Sequence, residues 1–446
     1  MMAYIEPRVL KGFRDFLPHA EIARRDLIEA IELSFRSYGF VPIDTPVLEY
    51  AEILLGKGGG ETEKQIYRFQ DNGGRDVALR FDLTVPFARF MAEHRQELPL
   101  PFKRYHIAKA WRGENTQRGR YREFIQCDFD IVGSASPAAD FEILLILRNT
   151  LRQLQIGEVT IRFNHRGLFN RFLGRLQVLD KSVDILRIVD KLSKIGRDET
   201  LSQLSEQIGD KAKEVLDYIE VQGTFDEKLR FMTKAATGAA AVGGDGTESP
   251  DCPESECLAL IRQFMVDTGT ENSFVLDPSI TRGLDYYTGV VFETFLNDLP
   301  EIGSIGSGGR YDNLVALYTK PNSDSPLCGV GSSIGIDRLI AALEALGKLK
   351  TKPSYAQIGI ACLRQADSGR CQSLAEKLRK EGIPCDVFLD EAKLPKQYML
   401  GEKKGLKWLI LPDEGVSGLL TLRNLETREN REEVKVEEVV GILTTD

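Results

Sequence analysis

The sequence has few of the features that mark secreted, membrane or zinc-binding proteins. Its seven cysteines are scattered, with no C-x-x-C pair and no histidines grouped beside them, so neither a zinc site nor a disulfide framework is expected. The first residues lack the apolar run of a signal peptide, and no segment approaches the length of a membrane span. These absences predict a cytoplasmic protein.

An excess of positive charge is also missing. The net charge of −9 at pH 7 argues against general attraction to nucleic acid, although a local basic groove is compatible with it. A length of 446 residues is too great for one core and predicts two to four domains. With 42% hydrophobic and 28% charged residues, the composition is that of an ordinary globular protein.

Residues 101–133 carry the most informative pattern. Two apolar runs flank a loop rich in glycine, asparagine, glutamine and arginine, which predicts two antiparallel strands joined by a long connection. Side chains alternate between the two faces of a strand. One face of the second predicted strand is apolar and carries Tyr121, Ile125, Cys127, Phe129 and Ile131. The opposite face is mostly polar and carries Arg120, Arg122, Phe124, Gln126, Asp128 and Asp130.

The polar face has two interpretations, a solvated sheet surface or a ligand site. Its arginines gather at the loop end (Arg112, Arg118, Arg120 and Arg122), whereas Gln126, Asp128 and Asp130 lie further along the strand. Arginine binds phosphate or carboxylate through two parallel hydrogen bonds. The pattern therefore favours a site for a ligand with one anionic end and one cationic or hydrogen-bond-donating end.

Arg112, the loop after it and the run R-Y-R-E-F-I-Q-C-D-F-D-I-V-G resemble the second signature motif of class II aminoacyl-tRNA synthetases, in its histidyl-tRNA synthetase version. A predicted helix over 22–38, followed by a strand interrupted by Pro42 and Pro46, resembles the first motif. That motif forms the dimer interface in the family, so the resemblance implies a homodimer. The same pattern also fits a helix and an edge strand of an ordinary core, because proline cannot donate to a sheet.

Residues 77–90 read as a strand that breaks at Pro86 into a helix, with Asp82 and Thr84 near the end of the strand. A helix cap or a salt bridge is the ordinary interpretation of Asp82. In the family, the matching segment holds the α-amino group of histidine. Here it resembles the eukaryote-type form, Asp-Leu-Thr, rather than the common bacterial Glu-Gly-Thr, which favours a eukaryote-like branch.

Two further blocks resemble peptides specific to histidyl-tRNA synthetases. R-G-L-D-Y-Y-T-G, residues 282–289, implies that Arg282 faces the α-phosphate and the substrate carboxylate and that Tyr287 lines the imidazole pocket. S-I-G-S-G-G-R-Y-D, residues 304–312, implies a ring-binding position for Tyr311. Tyr286, by contrast, is expected to serve packing, as aromatic residues in strands commonly do.

The run C-G-V-G-S-S-I-G-I-D-R-L predicts a strand that turns at Gly335 into a helix. Arg338 falls in the first turn of that helix, near the positive end of its dipole, so an anionic ligand explains this arginine better than helix stabilisation does. The run resembles the third class II motif, which implies contact with the ATP tail. A dinucleotide-binding interpretation of Gly329, Gly331 and Gly335 fails on spacing and on the missing acidic residue downstream.

These resemblances imply an α+β fold: a class II antiparallel sheet flanked by helices, a helical insertion and a C-terminal α/β anticodon-binding domain. We expect catalytic core at 1–165 and 273–346, the insertion at 166–272, a linker at 347–355 and the last domain at 356–446. Strands alternating with helices predict a small parallel or mixed sheet in that domain. Its lysines Lys393, Lys396, Lys403 and Lys404 fit either a solvated helix face or contact with the anticodon stem.

In the implied reaction, histidine and ATP form histidyl-adenylate and pyrophosphate, and the histidyl group is then transferred to the 3′ end of tRNA-His. The attacking carboxylate is already ionised, so the reaction needs placed positive charge rather than a base. The resemblance assigns ATP to Arg112, Arg120 and Arg338, with catalysis by Arg112 and Arg282, and it implies Mg²⁺ without naming its ligands. Histidine is assigned to Asp82, Thr84, Gln126, Asp130, Arg282, Tyr287 and Tyr311. The alternative is a histidine-sensing regulatory paralogue of ATP phosphoribosyltransferase.

Overall fold

The computed structural model describes residues 4–56, 61–238, 251–281, 286–320, 327–411 and 419–445. The chain forms two compact units. The first comprises Met1–Arg14 and Leu27–Lys348, and the second comprises Asp15–Asp26 and Leu349–Asp446. No helix among the described residues combines the length and the apolar character needed to cross a membrane.

The α-helices in the part of the chain before residue 349 are α1 (Pro18–Ser37), α2 (Ala51–Leu55), α3 (Thr84–His94), α4 (Pro137–Gln153), α5 (Arg166–Arg175), α6 (Ser182–Val189), α7 (Leu192–Ile195), α8 (Arg197–Ile208), α9 (Ala212–Ile219), α10 (Phe225–Thr237), α11 (Pro253–Asp267) and α12 (Ile336–Ala345). The strands there are β1 (Val41–Pro42), β2 (Leu48–Tyr50), β3 (Arg68–Gln70), β4 (Asp76–Leu79), β5 (Phe102–Trp111), β6 (Glu123–Val132), β7 (Val159–His165), β8 (Phe274–Leu276), β9 (Val290–Leu296), β10 (Gly306–Tyr311) and β11 (Gly329–Gly335).

The large sheet of the first unit has the strand order β1-β5-β6-β11-β10-β9-β7-β8. The β1–β5 and β7–β8 pairs are parallel, and every other neighbouring pair is antiparallel. The predicted α+β fold with an antiparallel sheet flanked by helices is therefore confirmed. Strand β1, which contains Pro42, lies at the edge, where a residue without an amide hydrogen does not interrupt the ladder.

Both faces of β6 are buried, which the alternation pattern did not predict. On the apolar face, Cys127 and Phe129 are fully enclosed, and the Phe129 ring packs 4.6 Å from that of Phe35 on α1. On the other face, Asp128 and Asp130 are each only 2% exposed. The solvated-surface interpretation of this face is therefore wrong, and its acids lie inside the protein.

A run of helices, α5 to α11, lies between β7 and β8 in the chain. Its centre is aromatic: the buried Tyr218 ring stacks 4.5 Å from Phe172 and lies 5.4 Å from Phe169. The sequence predicted a helical insertion here. Within it, the low-complexity run A-A-T-G-A-A-A-V-G-G-D-G at 235–246 is typical of a loop. Residues 235–237 instead close α10, and 239–246 lie outside the described residues.

The second unit has its own sheet, ordered β13-β12-β14-β15-β16. Its elements are β12 (Ile358–Ile360), α13 (Ser368–Lys380), β13 (Cys385–Val387), α14 (Leu394–Lys403), β14 (Trp408–Leu411), β15 (Leu420–Asn424), β16 (Asn430–Val434) and α15 (Val436–Thr445). Pairing is parallel from β13 to β14 and antiparallel beyond, so the sheet is mixed. Ile358, Ile360 and Ile410 fill its core.

Candidate active site

A cavity of about 430 Å³ opens on the polar face of the large sheet, where β6, β11 and β10 run side by side. It brings together most of the side chains singled out from the sequence: Asp82, Thr84, Arg112, Gln126, Asp130, Tyr287, Tyr311 and Arg338. These residues come from segments far apart in the chain. Arginines and carboxylates thus share one enclosed space.

Glycines of β11 make room for two of these side chains. A Cβ atom added at Gly331 would lie 1.9 Å from Asp130 Oδ1, and one at Gly329 would lie 2.4 Å from the Tyr311 ring. Neither distance is compatible with a side chain. The glycines that superficially suggested a dinucleotide motif instead let a carboxylate and a phenol lie against the strand.

Asp130 is held from both sides. The Tyr311 hydroxyl donates a hydrogen bond of 2.6 Å to Oδ1, and Arg104 Nη2 lies 2.7 Å from Oδ2. Burial raises the pKa of Asp130, while the Arg104 charge and the Tyr311 hydrogen bond oppose that rise. Sequence reasoning missed Arg104, which lies on β5 directly opposite Asp130 and has no exposed surface. Because β5 also carries Lys103, His106 and Lys109, its sequence gives no signal that sets Arg104 apart.

One carboxylate oxygen of Asp82 caps a helix, and the other is left without a hydrogen-bond partner in the part of the chain that the structure describes. Its Oδ1 accepts a hydrogen bond of 3.1 Å from the Val85 amide at the start of α3, so the helix-cap interpretation is correct for that atom. Its Oδ2 is buried and has no hydrogen-bond partner among the described residues. Burial raises the pKa of Asp82 to about 6, against the charges of Arg112 and Arg104. Thr84, expected at the end of the strand, is the first residue of α3.

Gln126 and Asp128 follow one another on the polar face of β6. Gln126 Nε2 donates to Ser333 Oγ at 3.0 Å and lies 3.4 Å from Asp128 Oδ1, while Gln126 Oε1 is buried with no partner in the described part of the chain. Burial raises the pKa of Asp128 to about 7. The nearby Asp130 and Asp82 carboxylates add to this rise, which Arg104 and Ser333 oppose. No role was assigned to Asp128 from the sequence.

Arg112 and Arg338 form the basic part of the cavity lining. Arg112 Nε donates 2.9 Å to the Phe81 carbonyl, and its guanidinium carbon lies 5.1 Å from the centre of the Phe124 ring. Arg338 is in the first turn of α12, as predicted, and donates to the Ser304 carbonyl. Both guanidinium groups are therefore anchored to the backbone of neighbouring segments.

Arg120 lines an adjoining, larger cavity of about 1280 Å³ instead. Other cationic side chains there are Arg118, Arg162 and Lys194, and both Arg338 and Glu293 border the two cavities. Glu114 lies between the arginines, its carboxylate oxygens 3.8 Å from Arg112 Nη1 and 3.7 Å from Arg120 Nη1. The structure thus separates Arg120 from the other predicted phosphate ligands by one acidic side chain.

Two tyrosines follow the predicted Arg282, which itself lies outside the described residues. The rings of Tyr286 and Tyr287 meet edge to face with centres 4.9 Å apart, and both line the cavity. Tyr286 also packs on two apolar clusters, so the expected packing role is only part of its contacts. Burial raises the pKa of both phenols, which keeps them as neutral hydrogen-bonding groups.

An antiparallel sheet with one arginine after a central strand and another at the start of the helix following the last strand defines the catalytic unit of a class II aminoacyl-tRNA synthetase. The family model described as histidyl-tRNA synthetase matches residues 12–339, and the one described as an anticodon binding domain matches residues 357–446. The chain belongs to the histidyl-tRNA synthetase family.

Similar proteins carry the same description. A protein of Treponema denticola named histidine–tRNA ligase is 52% identical over 93% of this chain and 90% of its own length. One of Rhodopirellula baltica with the same name is 43% identical, covering 96% and 95%.

Solved structures agree on the fold. The crystal structure of histidyl-tRNA synthetase from a Nostoc species superposes with a TM-score of 0.82, at 29% identity, over 99% of this chain and all of the other. One described as an ATP phosphoribosyltransferase regulatory subunit/histidyl-tRNA synthetase, from Bacillus halodurans, gives 0.71 at 22% identity, over 89% and 97%. At that identity the likeness concerns the fold alone, so the fold does not separate a ligase from a regulatory subunit.

Proposed function

We propose that this protein is a histidine–tRNA ligase, which activates L-histidine with ATP and transfers it to the 3′ end of tRNA-His. The observation that carries the proposal is the convergence of Arg112 and Arg338 with Asp82, Asp130 and Tyr311 on one cavity. An amino acid and a triphosphate together present an ammonium group, a ring with hydrogen-bond donors and several anionic oxygens. The cavity offers carboxylates to the ammonium group, a carboxylate and a phenol to the ring, and arginines to the anionic oxygens.

Histidine recognition rests on the acidic part of the cavity in this proposal. Asp82 Oδ2 and Thr84 receive the α-ammonium group, and Gln126 helps to hold the substrate. Tyr287, Tyr311 and Asp130 surround the imidazole. Because Arg104 and Tyr311 already engage both oxygens of Asp130, this acid is fixed in place before the ring arrives. A preorganised acceptor loses little on binding, which favours selectivity for imidazole.

Adenylation rests on the arginines. We assign Arg112 to the α-phosphate, Arg338 to the γ-phosphate and Arg120 to the ATP at the entrance from the larger cavity. Arg282 is assigned to the α-phosphate and the substrate carboxylate by its place in the sequence motif. Guanidinium groups stay charged at all relevant pH values, so they stabilise the pentavalent phosphorus without taking or giving a proton.

The residues present also fit a magnesium ion that enters with ATP. Such ions are commonly held by one or two carboxylates together with substrate phosphates. No group of three His, Cys, Asp or Glu side chains among the described residues would hold a metal by itself. Glu293 borders both cavities beside Arg338 and is the acid we assign to Mg²⁺. When bound, the ion would neutralise phosphate charge.

The remaining parts are assigned to tRNA and to assembly. We propose that residues 166–272 reach the acceptor arm. We also propose that residues 356–446 bind the anticodon stem through three exposed lysines, Lys396 and Lys403 on α14 and Lys393 immediately before it. Lys404 pairs with Asp386 and belongs to the structural part of that unit. The segment around β1 would pair two copies into a homodimer in the cytoplasm.

The regulatory-subunit alternative has one observation in its favour, the shared fold of the Bacillus halodurans structure. ATP–pyrophosphate exchange, measured with each amino acid in turn, separates the two functions. Exchange with histidine alone is the expected result. Histidine binding without exchange would favour the regulatory role, and exchange with a different amino acid would overturn the assignment of the substrate.

A further inference from the structure

The polar face of β6 carries an acid that none of the roles above uses. Asp128 lines the same cavity as Asp82 and Asp130 and is 2% exposed. It lies opposite Ser333 on β11 and His106 on β5. A carboxylate removed from water in this way is costly unless an opposite charge or strong hydrogen bonds compensate it.

The protein itself supplies little compensation. Arg104 forms its ion pair with Asp130 rather than with Asp128, and no cationic side chain among the described residues lies within 4.0 Å of the Asp128 carboxylate. Gln126 Nε2, at 3.4 Å, is a long and weak hydrogen-bond donor to it. Burial, with the repulsion of Asp130 and Asp82, accordingly raises its pKa to about 7. Among the described residues, therefore, no cation is in direct contact with the Asp128 carboxylate, although the Arg104 charge acts on it from a greater distance.

Asp82, in the same cavity, is also a buried carboxylate with too few hydrogen-bond partners among the described residues. One of its oxygens caps α3, and the other is buried without a partner in the described chain. Asp82 and Asp128 line the same cavity, and the charge of Asp82 acts on Asp128, so the two carboxylates repel each other when both are ionised. A single cation between them would relieve both desolvation and mutual repulsion.

We propose that Asp128 and Asp82 together form the binding site for the α-ammonium group of histidine. The inference rests on the proposed function and adds a specificity-determining residue to it. An ammonium group carries three donors, which match the unpartnered Asp82 oxygen and the Asp128 carboxylate. Asp82 alone, with one oxygen committed to the helix, offers a single acceptor.

The order of side chains along β6 favours the ammonium over the imidazole as the partner of Asp128. Successive residues on one face of a strand are roughly 7 Å apart. Asp130 and Tyr311 mark one end, and Arg112 lies at the other, beyond Gln126, with its guanidinium carbon 5.1 Å from the centre of the Phe124 ring. A histidine with its ring at Asp130 and its carboxylate toward Arg112 has its α-carbon at the level of Asp128.

Three ligands and one substitution test this arrangement in the full-length protein. Dissociation constants are measured by calorimetry at pH 8 for L-histidine, for L-histidinol, which keeps the amine and lacks the carboxylate, and for 3-(imidazol-4-yl)propionate, which keeps the ring and carboxylate and lacks the amine. Asp128→Asn removes the charge at nearly constant shape. We expect binding of the two amines to weaken on the order of 10- to 100-fold, as for the loss of a charged hydrogen bond, and binding of the propionate to be unchanged or tighter.

Equal weakening of all three ligands would overturn the proposal, because it would place Asp128 at the ring or in the scaffold. Unchanged binding of all three would overturn it as well. Asp128→Ser repeats the comparison if the asparagine variant does not fold. Wild-type exchange with histidine tests the proposed function separately, so that a failure there is distinguishable from a failure of the role of Asp128.

Discussion

Two buried polar side chains of the second unit can be compared with those that line the cavity of the first, according to whether their polar atoms have hydrogen-bond partners. In the second unit, Gln397 is 1% exposed, yet its Oε1 accepts a hydrogen bond of 2.8 Å from the Cys362 amide and its Nε2 donates 2.9 Å to the Ala392 carbonyl. Asn424 likewise accepts from two backbone amides, each at 2.9 Å. In the first unit, buried oxygens of Asp82 and Gln126 have no partner among the described residues. Single buried polar atoms without a partner in the described chain occur elsewhere too, such as Trp408 Nε1 in the second unit and the Tyr218 hydroxyl in the first. The cavity is distinguished because two such oxygens, from Asp82 and Gln126, line one space.

The contrast also holds inside the first unit. Arg310 and Asp140 are both buried, and they satisfy each other through Nε and Oδ1 at 2.9 Å, with Arg310 Nη1 donating 3.0 Å to the Ser134 carbonyl. Neither residue of this pair lines the cavity. The Arg310–Asp140 pair stabilises the fold, whereas the acids in the cavity still have oxygen atoms with which to bind a ligand.

The largest effect is expected from Arg112→Ala. Loss of a fixed positive charge at the phosphorus should lower the rate of ATP–pyrophosphate exchange by about 10²–10³-fold, with little change in thermal stability. Arg120→Ala is the matched control, and its smaller loss is expected because Arg120 lines the adjoining cavity. Equal losses in the two variants would contradict this separation.

Arg310→Ala should act on stability instead. It leaves the buried Asp140 carboxylate without its cation, so unfolding in denaturant should become easier by about 3–5 kcal/mol. Replacing both partners, as in Arg310→Met with Asp140→Leu, should restore most of that loss. A stable Arg310→Ala protein with impaired exchange would place this pair among the functional groups.

A moderate effect on tRNA charging is expected when the exposed lysines of α14, and the lysine immediately before it, are replaced by glutamate. Lys393→Glu, Lys396→Glu and Lys403→Glu together should raise the KM for tRNA-His by about 10-fold or more and leave exchange unchanged. The control is Lys377→Glu with Lys380→Glu on α13, a second exposed basic face of the same unit. Similar effects of both sets would indicate general charge attraction.

The smallest effect concerns the pH dependence of stability in the absence of added ligand. The pKa of Asp128 is raised to about 7 in the folded protein, against about 4 in the unfolded chain. This residue therefore lowers the stability of the fold progressively as the pH rises from about 4 to about 7, and it does not lower it below pH 4. The stability gained by Asp128→Asn over wild type should therefore grow from about pH 4 to pH 7 and then level off. Melting curves without ligand measure it, and a gain independent of pH would show that burial of the charge is not its cause.

Much of this fold could be predicted from the sequence, because the periodic spacing of apolar residues and the positions of glycines are local signals. The helix before Tyr38, the central strand and the turn at Gly335 all follow from them. Strand β16 and helix α15 were missed, since the run R-E-N-R-E-E-V-K has no alternation and only Val434 of β16 is buried. The pairing of Arg104 with Asp130 depends on strand register, which one sequence does not encode locally.

The glycines beneath Asp130 and Tyr311 have a consequence for inhibitor design. At the ring end of the cavity, the Asp130 carboxylate and the Tyr311 ring cover the main chain of Gly331 and Gly329, and even one methyl group at Gly331 would collide with that carboxylate. A compound bound there would contact side chains whose positions depend on the absence of a side chain behind them. A substitution of either glycine that weakened an inhibitor would therefore also displace the groups assigned to the imidazole, so drug resistance would have to arise elsewhere in the chain.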